Sequence, residues 1–201
     1  MNSDFWKVLC ERRSIRRYLD QTVPSSLLKK IIDAAAHAPS AHNNQPWHFV
    51  VVTSPDIRSR LVRSMADRYD QDMTARNVPD HTRNKRITRS LELLGKAPVL
   101  IFAYAVHEHR HRGDAEYDEE MEEVLNRQSV AAAVGHLLAA AAASGLGACW
   151  YAAPLFCPDI VNDQLRVHTE WEPQALITMG YPDEAAPPKD RKPLSDVVTY
   201  V

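Results

Sequence analysis

The sequence predicts an α+β fold, in which a small sheet is wrapped by helices. Short runs rich in β-branched and aromatic residues alternate with amphipathic or alanine-rich segments of helical length. At 201 residues the chain is long enough for one domain with a sizeable core. Neither an internal repeat nor a domain linker interrupts it. We therefore predict a single domain over residues 1–201.

The predicted elements follow local periodicity and start and stop signals. Pro24-Ser25-Ser26 begins an amphipathic helix that stops at Pro39, because the residue before a proline disfavours helical backbone. An apolar run that follows Pro98 predicts a buried central strand. Helices are predicted at residues 5–11, 24–39, 55–76, 86–96, 119–144 and 158–165, and strands at residues 47–53, 99–106, 148–152 and 174–181.

The longest predicted helix, residues 119–144, is rich in alanine in its second half. Such small side chains predict a central core helix with neighbours on every side. The segment before it, residues 107–118, is charged and irregular, which predicts a surface lid. His107, His109 and His111 alternate in that segment. No carboxylate or thiol set at ligand spacing accompanies them, so we predict no metal ion.

Charge and composition limit the classes of partner. The 24 basic and 26 acidic residues leave a formal net charge of -2, which gives no global attraction for nucleic acid or acidic membranes. Any anion site must therefore be local. The charge-free stretch between Arg127 and Asp159 is broken by Gly145, Gly147 and Pro154, so it does not predict a membrane helix. The N-terminus has no signal-peptide pattern, and we predict a soluble cytoplasmic protein.

The cysteines do not indicate a scaffold or a redox centre. The chain has three cysteines and no CxxC pair. The odd count and the missing pair argue against a disulfide framework or a zinc ribbon. Cys149 lies in an apolar predicted strand and is expected to behave as a small buried hydrophobe.

A basic stretch near the start, Arg-Arg-Ser-Ile-Arg-Arg at residues 12–17, suits an anion. If this stretch is extended, Arg12, Ser14 and Arg16 share one face. Two guanidinium groups with a hydroxyl between them match a phosphate monoester, because arginine binds oxyanions through paired charged hydrogen bonds. The alternative from this segment alone is a solvated basic turn.

Three further polar segments each have an ordinary structural explanation when taken alone. Residues 38–47 join a helix to a strand and carry five polar side chains, which is typical of a solvent-facing turn. Residues 144–154 contain a helix end, a glycine turn and a strand, which indicates a helix cap before a buried strand. Residues 188–194 contain a Lys-Asp-Arg-Lys run that is typical of a solvated tail.

Together, the basic stretch and these segments resemble the flavin-phosphate site of the nitroreductase superfamily of FMN enzymes. The resemblance covers nearly the whole chain. It implies a three-layer α+β domain whose small mixed sheet is wrapped by helices, assembled as a homodimer. It also implies one non-covalent FMN per subunit, with NADH or NADPH as the electron donor.

The resemblance assigns roles to individual residues. It implies that the FMN phosphate is held by Arg12, Ser14, Arg16, Lys189 and Arg191, and that Arg13 also binds the cofactor. It implies that the flavin of one subunit is contacted by Pro39, Ser40 and Asn43 of the partner subunit. A backbone N–H of Ala152 or Ala153 is expected to donate to flavin N5. A basic residue is expected at the pyrimidine edge of the flavin, and of the two candidates, Arg86 and Arg89, we assign Arg89. The alternative is that Arg89 is an ordinary arginine on a helix surface.

The implied function is an FMN-dependent oxidoreductase. In this interpretation a hydride passes from a reduced nicotinamide through flavin N5 to a small electrophilic acceptor, namely a nitroaromatic, a quinone or an activated alkene. The protein binds the flavin and excludes water, and no side chain acts as acid or base. Residues 125–182 resemble most closely the FMN domain of deazaflavin-cofactor glutamyl ligases. There are therefore two alternatives. One is a free-standing reductase of an unsaturated deazaflavin precursor, and the other is a non-catalytic flavin- or deazaflavin-binding module.

Overall fold

The computed structural model describes residues 3–106 and 119–201. Helices in this part of the chain are α1 (Ser3–Glu11), α2 (Ser25–Ala36), α3 (Pro55–Ala75), α4 (Asp80–Gly95), α5 (Glu119–Ala143) and α6 (Pro158–Leu165). Strands are β1 (Trp47–Val52), β2 (Val99–Ala105), β3 (Gly147–Tyr151) and β4 (Glu172–Gly180). Short 3-10 turns lie at Ala41–Asn43, Ala153–Phe156 and Leu194–Asp196. The predicted α+β class is confirmed.

The four strands form one sheet in the order β1-β2-β4-β3. All three pairings between them are antiparallel, and β2 pairs with both β1 and β4. The expected mixed sheet is therefore wrong, because the four strands pair only antiparallel. Among the described residues, a parallel bridge joins Ser14, in the segment after α1, to Ala148 of β3. Continuous apolar strands such as β2 are typical of parallel sheets because both of their faces are buried. Here helices bury both faces of an antiparallel sheet, so composition does not reveal strand direction.

Helices cover the two faces of the sheet and make three layers. Along β2 successive side chains alternate between the faces, so that Ile101 and Ala103 join one core cluster and Leu100 and Phe102 join the other. The first cluster contains apolar side chains of α2 and α5. The second contains those of α3, α4 and α6. All seven residues of β2 are buried, as predicted for a central strand.

Helix α5 packs against the sheet, but its surroundings differ from the expectation. Val130, Val134 and Leu137 are fully buried in the first core cluster. Ala131 and Gly135 on the opposite side are exposed. Within one chain α5 therefore lacks the neighbours on every side that its alanine content predicted. Small residues on an exposed helix face leave room for close approach by another helix.

The ends of several elements differ from the predictions. Helix α2 ends at Ala36 rather than at Pro39, and α4 begins at Asp80, six residues before the predicted segment. The predicted lid with His107, His109 and His111 lies outside the described residues. Among the residues described, no helix has the length and apolar character that crossing a membrane requires.

Candidate cofactor site

The basic segment is extended and lies along the exposed edge of β3. The Ile15 N–H donates to the carbonyl oxygen of Ala148 at 3.0 Å. The Ile15 side chain packs over Gly147, where an added Cβ would lie 2.6 Å from Ile15 Cγ2. This contact holds Ile15 toward the protein, while Ser14 and Arg16 line an open cavity. The predicted alternation is incomplete, because Arg13 and Arg17, which alternation would place on the opposite face, line the same cavity.

Two anchors fix the segment on the sheet. The Tyr18 hydroxyl donates to the Ile15 carbonyl oxygen at 2.5 Å and lies 2.7 Å from Thr178 Oγ1. Burial raises the pKa of Tyr18 far above its usual value, so the hydroxyl keeps its proton. The Leu19 N–H donates to the carbonyl oxygen of Tyr181 at 2.9 Å. The segment is therefore attached at three points to β3, β4 and the residue after β4.

A carboxylate supports the same segment from the C-terminal side. Glu184 Oε1 accepts hydrogen bonds from the backbone N–H groups of Arg16 at 2.7 Å and Arg17 at 3.2 Å. The Asp183 N–H donates in return to the Arg17 carbonyl oxygen at 3.0 Å. Glu184 thus holds the backbone of the segment through these two hydrogen bonds. No sequence pattern singled out this glutamate, since its function depends on a contact across 168 positions.

The open cavity has a volume of about 830 Å³, within the usual range for small-molecule and cofactor sites. It collects residues of three distant parts of the chain: the basic segment, α4 and the tail after β4. Its walls include these predicted site residues: Arg12, Arg13, Ser14, Arg16, Arg89, Lys189 and Arg191. Arg17, which belongs to the basic stretch but had no assigned role, and Lys85, which the sequence reasoning missed, also line it. Lys85 could have been inferred from Arg89, because residues four apart share a helix face.

The electrostatic character of this cavity is strongly positive. Eight of its lining residues are arginine or lysine, and two, Glu92 and Glu184, are acidic. Within the part of the chain described, no carboxylate forms an ion pair with Arg12, Arg16 or Arg191. A chain of net charge -2 therefore concentrates unpaired cations at one place. Such a cluster fits a phosphate ester, which accepts several charged hydrogen bonds at once. We call it the basic cavity.

The loop with Pro39, Ser40 and Asn43 does not line the basic cavity. It is anchored on α5, where the Ala41 N–H donates to Ser129 Oγ at 3.2 Å. Ser40 Oγ accepts a hydrogen bond from the Gln45 N–H at 3.0 Å. His42, Asn43 and Gln45 all have positive φ, at 52°, 57° and 47°. Left-handed backbone at non-glycine residues is strained, and such strain concentrates at functional sites.

The end of β3 also lies outside the basic cavity. Ala152 leaves the strand with φ -87° and ψ 8°, and Ala153 begins the following 3-10 turn. Ala153 lines a second cavity, which Arg86 lines as well. Arg86 and Arg89 thus face different cavities, and Arg89 is the one in the basic cavity. The described part of the chain contains no group of three or more potential metal ligands.

Comparison with known proteins identifies the family. The sequence model of the Nitroreductase family matches residues 9–181 of this chain. The chain belongs to the nitroreductase family. Human iodotyrosine deiodinase 1 is 30% identical over 207 aligned residues, which span 100% of this chain and 69% of the human protein. The rat deiodinase is 31% identical, with 100% and 70% covered.

Solved nitroreductases have the same architecture. A nitroreductase from Desulfovibrio desulfuricans in complex with FMN superposes with a TM-score of 0.77 at 25% identity, covering 100% of this chain and 98% of that one. The FMN-dependent nitroreductase NfnB from Mycobacterium smegmatis, in complex with NADPH, gives a TM-score of 0.78 at 19% identity, with 98% of each chain covered. The second likeness shows the fold alone.

Proposed function

We propose that this member of the nitroreductase family is an FMN-dependent oxidoreductase. The observation that carries the proposal is the basic cavity, where cations from both ends of the sequence converge. Among the described residues, Arg12, Arg16 and Arg191 have no carboxylate partner there. A phosphate ester is the ligand that this donor set suits. The related structure from Desulfovibrio desulfuricans holds FMN, and FMN carries one such phosphate.

The residues present fit the cofactor. Arg12, Arg16, Lys189 and Arg191 would hold the phosphate together with the Ser14 hydroxyl, and Arg13 would lie beside them. Arg89, on the α4 wall of the same cavity, would stand near the flavin ring. Ala152 or Ala153 would donate a backbone N–H to the ring. When bound, FMN supplies the redox chemistry, taking two electrons from a donor and giving them to an acceptor.

A homodimer is part of the proposal, because the single chain keeps Ser40 and Asn43 away from the basic cavity. Two exposed surfaces support association with a second copy. Phe5 and Trp6 on α1 are about half exposed, at 56% and 51%. On the outer face of α5, the small residues Ala131 and Gly135 are exposed beside the polar side chains of Gln128 and His136. Obligate interfaces are more apolar than other protein surfaces, and the exposed aromatic side chains of α1 fit that character.

Donor and acceptor are narrower proposals. NADH or NADPH is the proposed donor, and the structural relative from Mycobacterium smegmatis binds NADPH. A nitroaromatic, a quinone or an activated alkene is the proposed acceptor. The deiodinase relatives match the whole chain and favour a second candidate, an aryl iodide. Reduction of a deazaflavin precursor and a cytoplasmic location stay predictions from the sequence.

Two measurements test the proposal. Purified protein is denatured and its released flavin identified and quantified. We expect one FMN per subunit, and release of FAD or failure to bind FMN would contradict the proposal. FMN-loaded protein is then mixed anaerobically with NADPH or NADH in a stopped-flow instrument. Rapid loss of flavin absorbance is expected, whereas protein that neither nicotinamide reduces would favour a different donor or a binding module.

The acceptor is tested without assuming the donor. Dithionite-reduced, FMN-loaded protein is mixed with a nitroaromatic, a quinone, an activated alkene and an aryl iodide in separate anaerobic experiments. The class that restores flavin absorbance fastest identifies the acceptor chemistry. Free reduced FMN at the same concentration is the control, because it reacts with some acceptors unaided.

A further inference from the structure

Helix α4 separates the basic cavity from a second cavity of about 480 Å³, and the two share no lining residue. Lys85, Arg89 and Glu92 lie on the side of the basic cavity. The second cavity is lined by Arg86, Ser90 and Leu94, which are four positions apart and form another face of the same helix. Its other walls come from α3, from Arg76 and Val78 just after that helix, and from residues 153–157.

The inner walls of the second cavity are apolar and adaptable. Met65, Met73 and Leu94 line it and are almost fully buried. Tyr69 and Phe156 also line it and are 39% and 66% exposed, so they mark its opening. Methionine sulfur and aromatic rings both pack favourably on a flat aromatic ligand. The walls therefore suit a planar ring rather than a strongly hydrated phosphate.

Positive charge exceeds negative charge around this apolar interior. The lining contains Arg68, Arg76 and Arg86 against one carboxylate, that of Asp72. Arg68 already forms an ion pair with Asp159, which lies outside the lining. Among the described residues, no carboxylate is paired with the side chains of Arg76 or Arg86.

The other polar groups leave this excess of positive charge intact. The Arg86 guanidinium makes a contact with Met73 Sδ at 4.0 Å, a weak acceptor. Burial raises the pKa of the Cys157 thiol to about 11, so this lining residue adds no negative charge near neutral pH. The arginines at the opening are thus available to an anionic group of a ligand.

We propose that the second cavity is a binding site for a planar aromatic carboxylate. The ring lies between the methionine side chains and the aromatic residues at the opening, and the carboxylate faces Arg86 and Arg76. A carboxylate matches the planar guanidinium fork. Ala153 lines this cavity. It is one of the two neighbouring residues proposed to donate to flavin N5, so a ligand here would lie close to the flavin. That consequence rests on the proposed function, whereas the binding itself does not.

The test compares two probes of the same shape. The carboxylate 2-naphthoate and its neutral counterpart 2-naphthamide are titrated by calorimetry into protein saturated with FMN, and also into protein without flavin. We expect the carboxylate to bind at least roughly tenfold more tightly than the amide, as one charged hydrogen bond requires. Binding should persist in both preparations, so failure of flavin binding would not remove the test.

Matched variants locate the site. Arg86→Met keeps an apolar side chain of similar length and should weaken 2-naphthoate roughly tenfold while leaving 2-naphthamide unchanged. Arg63→Met is the control, because Arg63 is exposed on α3 and lines neither cavity. Val78→Trp should fill the cavity and abolish binding of both probes. Circular dichroism and FMN affinity report whether each variant keeps its fold.

Several outcomes would overturn the proposal. Equal affinities of the two probes would exclude recognition of the carboxylate. Equal losses in Arg86→Met and Arg63→Met would place the probe elsewhere. Loss of 2-naphthoate binding in Arg16→Met, tested without flavin, would show that the anion enters the basic cavity instead. Binding of neither probe to the folded protein would remove the site altogether.

Discussion

Arg16 and Arg191 lie at opposite ends of the sequence and line the same cavity. If both contact the FMN phosphate, each Ala substitution removes a charged hydrogen bond, which is worth roughly 1.5–3 kcal/mol. We expect Arg16→Ala and Arg191→Ala each to weaken FMN about ten- to a hundredfold. Riboflavin lacks the phosphate, so its affinity should barely change. Quenching of flavin fluorescence measures both affinities.

The riboflavin comparison separates phosphate recognition from folding. Arg63→Ala is the matched control, since this exposed arginine lines no part of the basic cavity. Equal weakening of FMN and riboflavin in Arg16→Ala would show that the basic segment acts through the fold, and the phosphate assignment would then be wrong.

Gly147 offers a second prediction at the scale of one residue. A Cβ there would lie 2.6 Å from Ile15 Cγ2 and 2.7 Å from Ile15 Cβ, and the second atom cannot swing away as the end of a side chain can. Gly147→Ala should therefore displace the basic segment and lower the free energy of unfolding by about 1–3 kcal/mol. Denaturant unfolding of flavin-free protein measures this change.

Gly95→Ala provides the control, because a Cβ at Gly95 would meet no atom within 4 Å. The displaced segment in Gly147→Ala should also bind FMN more weakly. A Gly147→Ala protein as stable as the Gly95→Ala protein would show that Ile15 can repack without moving the backbone.

At the scale of elements, the basic segment depends on Glu184, whose charge and geometry have opposite effects. The carboxylate holds the N–H groups of Arg16 and Arg17, yet its negative charge lies in the cavity wall and disfavours an anion. Glu184→Gln keeps an oxygen acceptor and removes the charge, so FMN affinity should stay equal or rise. Glu184→Ala removes both, and FMN should bind roughly tenfold more weakly if positioning dominates.

Flavin fluorescence titration decides between these effects, with riboflavin as the reference ligand. Tighter FMN binding in Glu184→Ala than in the unchanged protein would mean that the repulsive charge outweighs the two backbone hydrogen bonds. The positioning role assigned to Glu184 would then be withdrawn.

Local sequence pattern predicted the helices and strands because each carries its own periodicity and stop signals. It could not predict that β2 pairs antiparallel with both neighbours, since a strand buried on both faces looks the same in either direction. For the cavity, the resemblance to the nitroreductase superfamily predicted Arg16 and Arg191 as phosphate-binding residues. Glu184 stayed hidden because its partners are backbone N–H groups, which any residue type could supply.

At the scale of the whole molecule, the single chain separates two groups of predicted flavin contacts. Arg16 lines the basic cavity, whereas Asn43 lies on a loop anchored to α5 outside it. If the partner subunit supplies Asn43, light scattering should show a dimer. Arg16→Ala and Asn43→Ala should each weaken FMN in their own homodimers, the first about ten- to a hundredfold.

Subunit mixing tests this arrangement directly. A mixed dimer of one Arg16→Ala chain and one Asn43→Ala chain is purified with two different affinity tags. If the partner supplies Asn43, one site of this dimer contains both substitutions and the other contains neither. Half of the sites should then bind FMN with the affinity of the unchanged protein. If each chain builds its own site, every site carries one substitution and no site of full affinity appears. Calorimetric titration distinguishes the two results by stoichiometry, because the tight phase is half of one FMN per chain in the first case and absent in the second.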